Sequence, residues 1–375
     1  MSLRELVKNI IERDRRIFFK DFNDKNSSIN NFLDSPNKNS IDLIADFTEY
    51  SPLHNGHFHC MKEAKHQIPE GLFVAIVPGL FERSGRGLPY ILPREIRAEI
   101  AISVGADIVV EGPPMGIMGS GQYSLSLAKM FQALNTDYIP RGYKPFDGFD
   151  KILNSIAIGH GIAPKPYKIV DMDTGEILLQ DKLEEDNYVI VSFSKSLKKI
   201  GFDFNNKFIF VKRIEGVSGT LIRKAISEGN FENVGSMMPK ETIDVLKREI
   251  SRNACPLHNI RYDEMILDNA NNLSFDELTS LNLFNNDLAN KFMEYRKKSP
   301  FESVNDVKNI ISQGFSTHYQ TRVLSVLEAN ISKKILSEFI EYYPSVIRVL
   351  DYKNKDKLNL FKEKINNENV SLFKK

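Results

Sequence analysis

The sequence predicts an α/β protein, with a Rossmann-like parallel sheet over residues 41–240 followed by a smaller all-helical C-terminal region. Apolar, β-branched runs alternate with helical segments in the first range, which is typical of a parallel sheet that binds its ligand at the carboxyl ends of its strands. Beyond residue 270 the apolar spacing is helical. The predicted strands are 41–47, 72–77, 107–111, 137–140, 188–193 and 207–211, and the predicted helices are 57–66, 93–104, 121–134, 149–157, 194–199 and 219–228.

The first predicted strand leads through a turn into His54-Asn55-Gly56-His57, where a helix begins. A strand, loop and helix in this order direct the unpaired N–H groups and the positive dipole end of the helix at a ligand, usually phosphate. The two imidazoles lie on one side of the first helical turn, and Gly56 lacks the Cβ that would hold the backbone away from a base or ribose. We therefore expect a nucleoside triphosphate, with His54 and His57 stabilising charge on its phosphates.

A pair of surface or zinc-binding histidines is the alternative interpretation of this segment. Zinc needs three or four ligands, whereas the chain has seven histidines and two cysteines. His59 and His66 lie nearby, but their spacing completes no recognisable metal pattern, and Cys255 is distant in sequence. No metal site is predicted.

A second strand-to-helix turn follows the predicted strand 207–211. Ser218 or Thr220 can cap the helix that begins near Leu221, and Arg223 in its first turn can fork onto phosphate oxygens. The apolar face of this helix would pack on the sheet even if its end bound nothing. Two such turns are nevertheless what a divided triphosphate site requires.

The pairing of His-x-Gly-His with a later Ser/Thr-x-x-Arg resembles the HIGH-motif nucleotidyltransferase superfamily, and residues 44–127 are similar to its tRNA(Met) cytidine acetate ligase family. Members of that family activate acetate with ATP to acetyl-adenylate and pass the acetyl group to the wobble cytidine of the elongator methionine tRNA. The resemblance implies ATP with Mg²⁺, a small carboxylic acid such as acetate, and tRNA as the partners. The matching blocks are 49–57, 77–85, 93–98, 105–114 and 217–226.

Three segments depart from the family pattern. Leu92-Pro93 replaces a basic residue and a tryptophan, residues 138–143 replace a Phe-Gly-Ser-Glu segment, and residues 158–161 are the nearest match by position to a Ser-Pro-Asn-Asn segment. Nucleotide binding therefore carries over, whereas the acetate pocket and the acetyl acceptor do not. The resemblance therefore leaves open whether the substrates are another acid or another tRNA.

The candidate site residues fall into three groups. The catalytic candidates are His54, His57 and Arg223. The nucleotide-binding candidates are Glu49, Tyr50, Pro52, Asn55, Gly56, Gly79, Gly112, Ser218, Gly219 and Thr220. The candidates for RNA contact or for a lid are Arg83, Arg86, Arg296, Lys297 and Lys298.

Two loops follow predicted strands on the edge that carries His54. The polar, Gly-rich loop 80–92 is interpreted as a lid that brings Arg83 or Arg86 to phosphate or tRNA, with a solvated loop as the alternative. The loop 112–121 is rich in glycine and proline and could close over a substrate, or could be a turn without a ligand.

The helical region resembles a tandem helix-hairpin-helix module, most clearly over residues 295–307. Backbone N–H groups in such hairpins contact nucleic-acid phosphates without reading sequence, and Arg296, Lys297 and Lys298 form a local basic cluster. The first hairpin, 282–287, lacks the usual glycines, and only Gly314 survives in the second. A purely structural helical module is an equal alternative.

The chain of 375 residues exceeds the usual size of one core, so several domains are expected. The predicted segments are an N-terminal amphipathic helix and loop (1–40), the nucleotidyltransferase domain (41–240), a linker helix (241–270), the helix-hairpin-helix-like domain (271–330) and a helical tail (331–375).

Charge and composition limit the functional classes. A net charge of +1 predicts no global polybasic surface, so RNA would have to bind local patches. Two cysteines, no secretory leader and no run as long as a membrane span predict a cytoplasmic protein without a membrane partner. No oligomeric state is predicted.

Three functional hypotheses follow. The first is an adenylate-forming nucleotidyltransferase in tRNA modification, which activates a carboxylate as acyl-AMP and transfers the acyl group to a tRNA cytidine. The second is a nucleotidyltransferase acting on a small phosphorylated metabolite in cofactor synthesis. The third is a non-catalytic tRNA-binding protein that keeps the fold.

Overall fold

A computed structural model describes residues 1–24, 41–312, 316–365 and 370–373. The strands are β1 (Leu43–Phe47), β2 (Leu72–Pro78), β3 (Ile108–Gly112), β4 (Ile139–Tyr143), β5 (Ile162–Lys165), β6 (Lys168–Asp171), β7 (Ile177–Leu179), β8 (Phe208–Lys212), β9 (Ile347–Tyr352) and β10 (Val370–Leu372). The α-helices are α1 (Leu3–Asn23), α2 (Asn55–Gln67), α3 (Arg94–Val104), α4 (Ser120–Ala133), α5 (Phe149–Ala157), α6 (Glu185–Lys199), α7 (Gly219–Ser227), α8 (Lys240–Ser251), α9 (Asp263–Asn272), α10 (Phe275–Ser280), α11 (Asn286–Arg296), α12 (Val304–Ser312), α13 (Thr317–Ala329), α14 (Lys333–Tyr342) and α15 (Lys355–Ile365).

Strands β1, β2 and β3 form the parallel centre of the sheet, and every one of their residues is buried. Their apolar, β-branched composition is what a strand buried on both faces requires. The predicted α/β class with a helical C-terminal region is confirmed.

Strand β4 continues the sheet on the other side of β1. The backbone N–H of Ala45 donates to the carbonyl of Tyr138 at 2.9 Å, and β4 pairs in parallel with β8. The strand order is therefore β3-β2-β1-β4-β8. The order reverses between β1 and β4, and in open α/β sheets the crevice at such a reversal binds the ligand.

The predicted strand 188–193 is wrong, because this segment lies inside helix α6. Val189 and Val191 suggested a strand, but tertiary packing overrides such local propensity. The buried side chains recur every three or four residues, as one face of a helix requires. They are Asn187, Ile190, Val191, Phe193, Ser194, Ser196 and Leu197.

Strands β5, β6 and β7 form a small antiparallel sheet that the sequence did not predict. These strands are three or four residues long, which is too short for alternation to be distinguished from a polar loop. The segment lies between α5 and α6 in the chain and packs against both helices.

The prediction of a wholly helical tail over 331–375 is wrong. Strand β9 pairs antiparallel with β3, and β10 pairs with β9, so the tail extends the main sheet. Ile347 and Val349 are buried two residues apart, as in a strand. The region 241–270 contains α8 and α9 rather than a single linker helix, whereas 271–312 and 316–330 are helical as predicted.

Two predicted features lie outside the described residues. These are the Asn-rich loop that follows the N-terminal helix, residues 25–40, and the second hairpin turn around Gly314, residues 313–315. The N-terminal helix itself is present, and its predicted apolar face is buried at Val7, Ile10 and Ile11.

Buried ion pairs join the segments that were predicted as separate domains. Asp14 of α1 binds the guanidinium of Arg94 in α3 at 2.8 and 2.9 Å, and Glu328 of α13 binds Arg83 beside the sheet. Helices α1 and α13 are therefore joined to α3 and to the loop that follows β2. Among the described helices, not one has the length and hydrophobicity needed to span a bilayer.

Candidate active site

The two predicted loops meet at the carboxyl edge of the sheet. Helix α2 begins at Asn55 after β1, and α7 begins at Gly219 after β8. A Cβ placed on Gly219 would lie 3.4 Å from Nε2 of His54. The structure therefore brings the His-x-Gly-His segment and the Ser-Gly-Thr segment into contact, although they lie far apart in sequence.

His54 and His57 form a stacked pair, with ring centroids 3.7 Å apart and planes inclined by 13°. The backbone N–H of His54 donates to Nδ1 of His57 at 3.4 Å. The neutral His57 ring therefore carries its proton on Nε2, where it can donate to a ligand. A Cβ at Gly56 would lie 3.1 Å from Cε1 of His54, so the glycine makes room for the His54 ring.

The histidine pair is held in its neutral form. Burial, with the nearby charges of Arg213 and Arg223, lowers the pKa of His54 to about 4. Burial, His54 and the same arginines hold the pKa of His57 well below its usual value. The two arginines disfavour protonation of the imidazoles, because like charges repel. We expect the site to bind an anion, which would offset the charges of Arg213 and Arg223.

This pKa shift predicts a pH dependence of stability. Between about pH 6.5 and pH 4 the unfolded chain protonates His54 while the folded protein does not, so the free energy of unfolding falls as the pH falls through that range. We expect a His54→Asn variant, which keeps a good helix cap, to lose less stability than the wild type between pH 7.5 and pH 4.5. Urea unfolding at the two pH values measures this, and equal losses in both proteins would contradict it.

Arg223 lies between the two loops. Its Nη2 donates to Oγ1 of Thr220 at 3.1 Å, and its Nη1 donates to the carbonyl of Ser51 at 3.4 Å. Ser218 accepts the N–H of Leu221 at 3.3 Å and caps α7, as the sequence predicted. A guanidinium at this helix end, next to the imidazoles, can fork onto an oxyanion.

Arg213 belongs to the same cationic group, and sequence reasoning missed it. It follows β8, and its backbone N–H donates to the carbonyl of Tyr143 at 3.0 Å. A Cβ at Gly142 would lie 3.6 Å from Nε of Arg213, which shows that this side chain runs across β4. Its position directly after the carboxyl end of a sheet strand was the available signal.

Glu49, Tyr50, Pro52 and Asn55 surround the histidines. Oε1 of Glu49 accepts the N–H of Gly85 at 3.3 Å, and burial raises the pKa of its carboxyl group. The Tyr50 ring meets His57 edge-on at 5.3 Å, and Pro52 is buried in the turn before α2. Nδ2 of Asn55 donates to the carbonyl of Ser236 at 2.9 Å, so this amide is engaged within the protein.

The interpretation of Arg83 as part of a lid is wrong. Its Nε and Nη2 donate to the two carboxylate oxygens of Glu328 at 2.8 and 2.6 Å, and both side chains are buried. Arg261 also binds Glu328, at 3.2 Å. Sequence alone does not show that a distant helix supplies this carboxylate.

The rest of the 80–92 loop is anchored in the same way. Gly87 has a φ of 75°, and a Cβ there would lie 2.5 Å from the backbone of Thr321 in α13. The carbonyl of Gly87 accepts from Arg261 at 2.6 Å and from Ser325 at 2.9 Å. Arg86 is half-buried, and its charge acts on Glu49 and Arg223, so its side chain stays a candidate for phosphate contact.

Gly79 and Gly112 serve packing. A Cβ at Gly79 would lie 2.6 Å from Cγ of Glu111 and 2.7 Å from Cδ of Arg94, two side chains that form a buried ion pair. A Cβ at Gly112 would lie 3.0 Å from Cγ2 of Ile76. The structure thus explains both glycines by their protein neighbours rather than by a nucleotide.

Replacing Gly79 by alanine is expected to lower the free energy of unfolding by about 1–3 kcal/mol, because the added methyl group overpacks the Glu111–Arg94 pair. Urea unfolding monitored by circular dichroism measures the change. The matched control is Gly121→Ala, since no described atom lies within 4 Å of a Cβ at that position. Equal stability of the two variants would show that the loop relaxes freely around Gly79.

The basic cluster of the helical region is only partly exposed. Nε of Arg296 donates to the carbonyl of Ala270 at 2.6 Å, and its Nη1 donates to the carbonyl of Leu273. These bonds engage the half-buried guanidinium at the end of α9, and contact of Arg296 with RNA stays a prediction. Lys297 and Lys298 are exposed, and their contact with RNA stays a prediction.

The first hairpin of the helical region faces the sheet domain. Nδ2 of Asn282 donates to the carbonyl of Ile117 at 2.8 Å and to Oε1 of Gln122 at 3.0 Å. Lys333 also donates to the carbonyl of Phe284 at 2.9 Å. These contacts favour the structural interpretation of the module over phosphate binding by this hairpin.

Among the described residues, the potential metal ligands His160, Asp171 and Asp173 lie close together, on and beside the small antiparallel sheet. Their polar atoms already bind one another and the protein. Asp171 contacts Nδ1 of His160 at 2.8 Å and the N–H of Asp173 at 2.9 Å, and Asp173 pairs with Lys198. These side chains therefore stabilise the turn that follows β6.

Comparison with known families identifies both halves of the chain. A family described as "HIGH Nucleotidyl Transferase" matches residues 41–140. A second, described as "Cytidyltransferase-related C-terminal region", matches residues 144–351, more than half of the chain. The chain belongs to the HIGH nucleotidyltransferase family. It is therefore an enzyme of the nucleotidyltransferase or ligase type.

Relatives of this nucleotidyltransferase are similar over most of their length. An uncharacterised protein of Methanocaldococcus jannaschii is 45% identical over 355 residues, which are 93% of this chain and 94% of that protein. A tRNA(Met) cytidine acetate ligase of Kosmotoga olearia is 24% identical over 358 residues, 85% of this chain and 82% of that protein. The crystal structure of Thermotoga maritima TmcAL bound with alpha-thio ATP has a TM-score of 0.68 at 20% identity, covering 86% of this chain and 84% of that chain.

Proposed function

We propose that this HIGH nucleotidyltransferase activates a small carboxylic acid with ATP and transfers the acyl group to a tRNA. The observation that carries the proposal is the meeting of α2 and α7, which sets two neutral imidazoles beside Arg213 and Arg223. The similarity to tRNA(Met) cytidine acetate ligases, and to a structure with bound alpha-thio ATP, supports the choice of reaction and of nucleotide.

The triphosphate would lie over the carboxyl ends of β1, β4 and β8. Nε2–H of His57 would donate to a phosphate oxygen, and Arg213 and Arg223 would neutralise the β- and γ-phosphates. The N–H groups at the starts of α2 and α7 add a positive dipole end on each side. ATP enters as its Mg²⁺ complex, which is a substrate of the reaction.

The first step needs no general base, because a carboxylate is already ionised near neutral pH. One carboxylate oxygen attacks the α-phosphorus, the bond from that phosphorus to the β-phosphate oxygen breaks, and pyrophosphate leaves. Catalysis then comes from positioning and from donors aimed at the developing charge. In the second step the cytidine amino group attacks the acyl carbon, AMP leaves, and the amino group releases a proton.

Exchange of labelled pyrophosphate into ATP tests the first step. The protein is incubated with ATP, Mg²⁺ and labelled pyrophosphate, with and without each member of a panel of short carboxylic acids. We expect exchange that depends on one of the acids. No acid-dependent exchange across the panel would overturn the proposal, and pyrophosphate release with a phosphomonoester instead would favour nucleotidyl transfer to a metabolite.

Transfer of a labelled acid to RNA tests the second step. The acid that supports exchange is supplied with ATP and unmodified tRNA, and the RNA is recovered and counted. We expect label in the tRNA with wild-type protein. Acid-dependent exchange without label in any tRNA would keep the activation step and remove the RNA acceptor.

A further inference from the structure

Arg141 of β4 is a buried cation whose hydrogen bonds are incomplete. The residue is 8% exposed, and its Nη1 donates to the carbonyl of Phe47 at 2.8 Å and lies 3.3 Å from Oδ1 of Asp46. Its Nε and Nη2 are also buried, yet neither has a hydrogen-bond acceptor among the described residues. A buried donor without an acceptor is destabilising, so the arrangement needs an explanation.

The two unused nitrogens form one edge of the guanidinium. An arginine binds a carboxylate in bidentate fashion through such an edge, with two parallel N–H···O bonds. The same protein provides the comparison, since Nε and Nη2 of Arg83 hold both oxygens of Glu328 at 2.8 and 2.6 Å. Among the residues that the structure describes, no carboxylate binds the equivalent edge of Arg141.

Arg141 lies at the reversal of strand order described above. Its partner carbonyl belongs to Phe47, the last residue of β1. The charge of Arg141 also acts on the buried Tyr50, whose ring meets His57 edge-on at 5.3 Å. Arg141 therefore lies at the same reversal as the proposed triphosphate site, on the β4 side of it.

The surroundings of Arg141 favour a singly charged, short ligand. Asp46, 3.3 Å from Nη1, already offsets the single charge of the guanidinium, so what remains for a ligand is the pair of N–H donors, and a monoanionic carboxylate is disfavoured less there than a dianionic phosphate monoester. The Phe193 ring lies 5.6 Å from the guanidinium carbon, and the Phe47 and Tyr123 rings are 5.4 Å apart. Apolar rings of this kind suit an aliphatic chain.

We propose that Arg141 binds the carboxylate of the acid substrate through Nε and Nη2. The inference rests on the proposed function and assigns the acid to a class, the short aliphatic monocarboxylates. Both nitrogens are closed off from solvent, so the acid reaches them when a neighbouring side chain moves. Tyr123 is half-buried, its ring is tilted by 54° against that of Phe47, and the charge of Arg141 acts on it, so its displacement would expose the two nitrogens.

Two variants of Arg141 test the assignment in the exchange reaction. Arg141→Met removes the charge, and Arg141→Lys keeps the charge without the fork. We expect Arg141→Met to raise KM for the acid by about 10- to 100-fold, because a charge-assisted pair is lost. The KM of Arg141→Lys should lie between those of Arg141→Met and the wild type. The affinity for a non-hydrolysable ATP analogue, measured by calorimetry, should change less than about twofold.

The control is Lys144→Met, which removes a positive charge directly after β4 where Lys144 pairs with Glu184 on the surface. An unchanged KM for the acid in Arg141→Met would overturn the inference while leaving the proposed function intact. A parallel loss of affinity for the ATP analogue would also overturn it, because that result indicates a structural role. If Arg141→Met does not fold, the same comparison is made with Arg141→Lys.

Direct binding separates the inference from the proposed function. Line broadening of ¹³C-labelled acetate and of ethyl phosphate is measured with the ATP analogue present, for wild type and Arg141→Lys. Broadening of acetate that weakens in the variant supports the inference even if the wild type shows no exchange. Equal broadening of acetate in both proteins, or broadening of ethyl phosphate alone, contradicts it.

Discussion

Replacing His57 by alanine is expected to lower the rate of acid-dependent ATP–pyrophosphate exchange by about 100- to 1000-fold, the usual cost of removing one donor that stabilises transition-state charge. Nδ1 of His57 accepts from the backbone of His54, so Nε2–H is the free donor of the ring. Alanine has no such donor, and kcat should fall more than the affinity for ATP. The exchange rate at saturating ATP measures the first effect, and calorimetry with an ATP analogue measures the second.

The matched control for this variant is His66→Ala. His66 lies on the same helix, but it is exposed and is two turns further from the start of α2. We expect wild-type exchange from His66→Ala. Exchange within threefold of wild type in His57→Ala would remove the imidazole from catalysis, and retained RNA binding with no exchange in either protein would favour a non-catalytic role.

Replacing Glu328 by alanine is expected to lower the free energy of unfolding by about 3–5 kcal/mol, because it leaves two buried guanidinium groups without their carboxylate. Glu328 is 1% exposed and binds both Arg83 and Arg261. The backbone N–H of Tyr262 donates to Oε1 of Glu328 at 2.7 Å, and the variant loses this bond as well. Chemical denaturation at neutral pH measures the change.

The control for the Glu328 variant is Glu294→Ala, an exposed glutamate on α11 in the same helical region. Its free energy of unfolding should stay within about 0.5 kcal/mol of wild type. The double variant Glu328→Ala/Arg83→Met removes one of the two unpaired guanidinium groups and should recover part of the lost free energy of unfolding. A Glu328→Ala protein as stable as the control would mean that water reaches the arginines.

Sequence predicts those parts of the site that depend on residues close together in the chain. The apolar run of β1, the turn and the two histidines occur within fifteen residues, and Ser218 caps α7 where its residue type indicates. The contact between the two loops could also be expected, because parallel strands present their carboxyl ends on one edge. The helix α6 was misread since its β-branched residues resemble a strand in isolation.

The parts that sequence does not predict depend on partners far away in the chain. The loop of Arg83 is interpreted as a lid because it is polar and Gly-rich and lies on the edge that carries His54, yet the carboxylate partner of Arg83 lies on α13. Arg141 and Arg213 were overlooked for the converse reason. Each is a single arginine in a strand or just after one, and only the assembled sheet shows that Arg213 acts on His54 and that Arg141 binds the last residue of β1.

The pairing of β9 with β3 has a consequence for biosynthesis. Strand β3 precedes β9 by most of the chain, and its outer edge is completed only when residues 347–352 add to it. While the ribosome is still translating the middle of the message, that edge offers unpaired N–H and C=O groups to any other strand. We therefore expect nascent chains stalled before Ile347 to require a chaperone, and chains that extend past Tyr352 to be released from it.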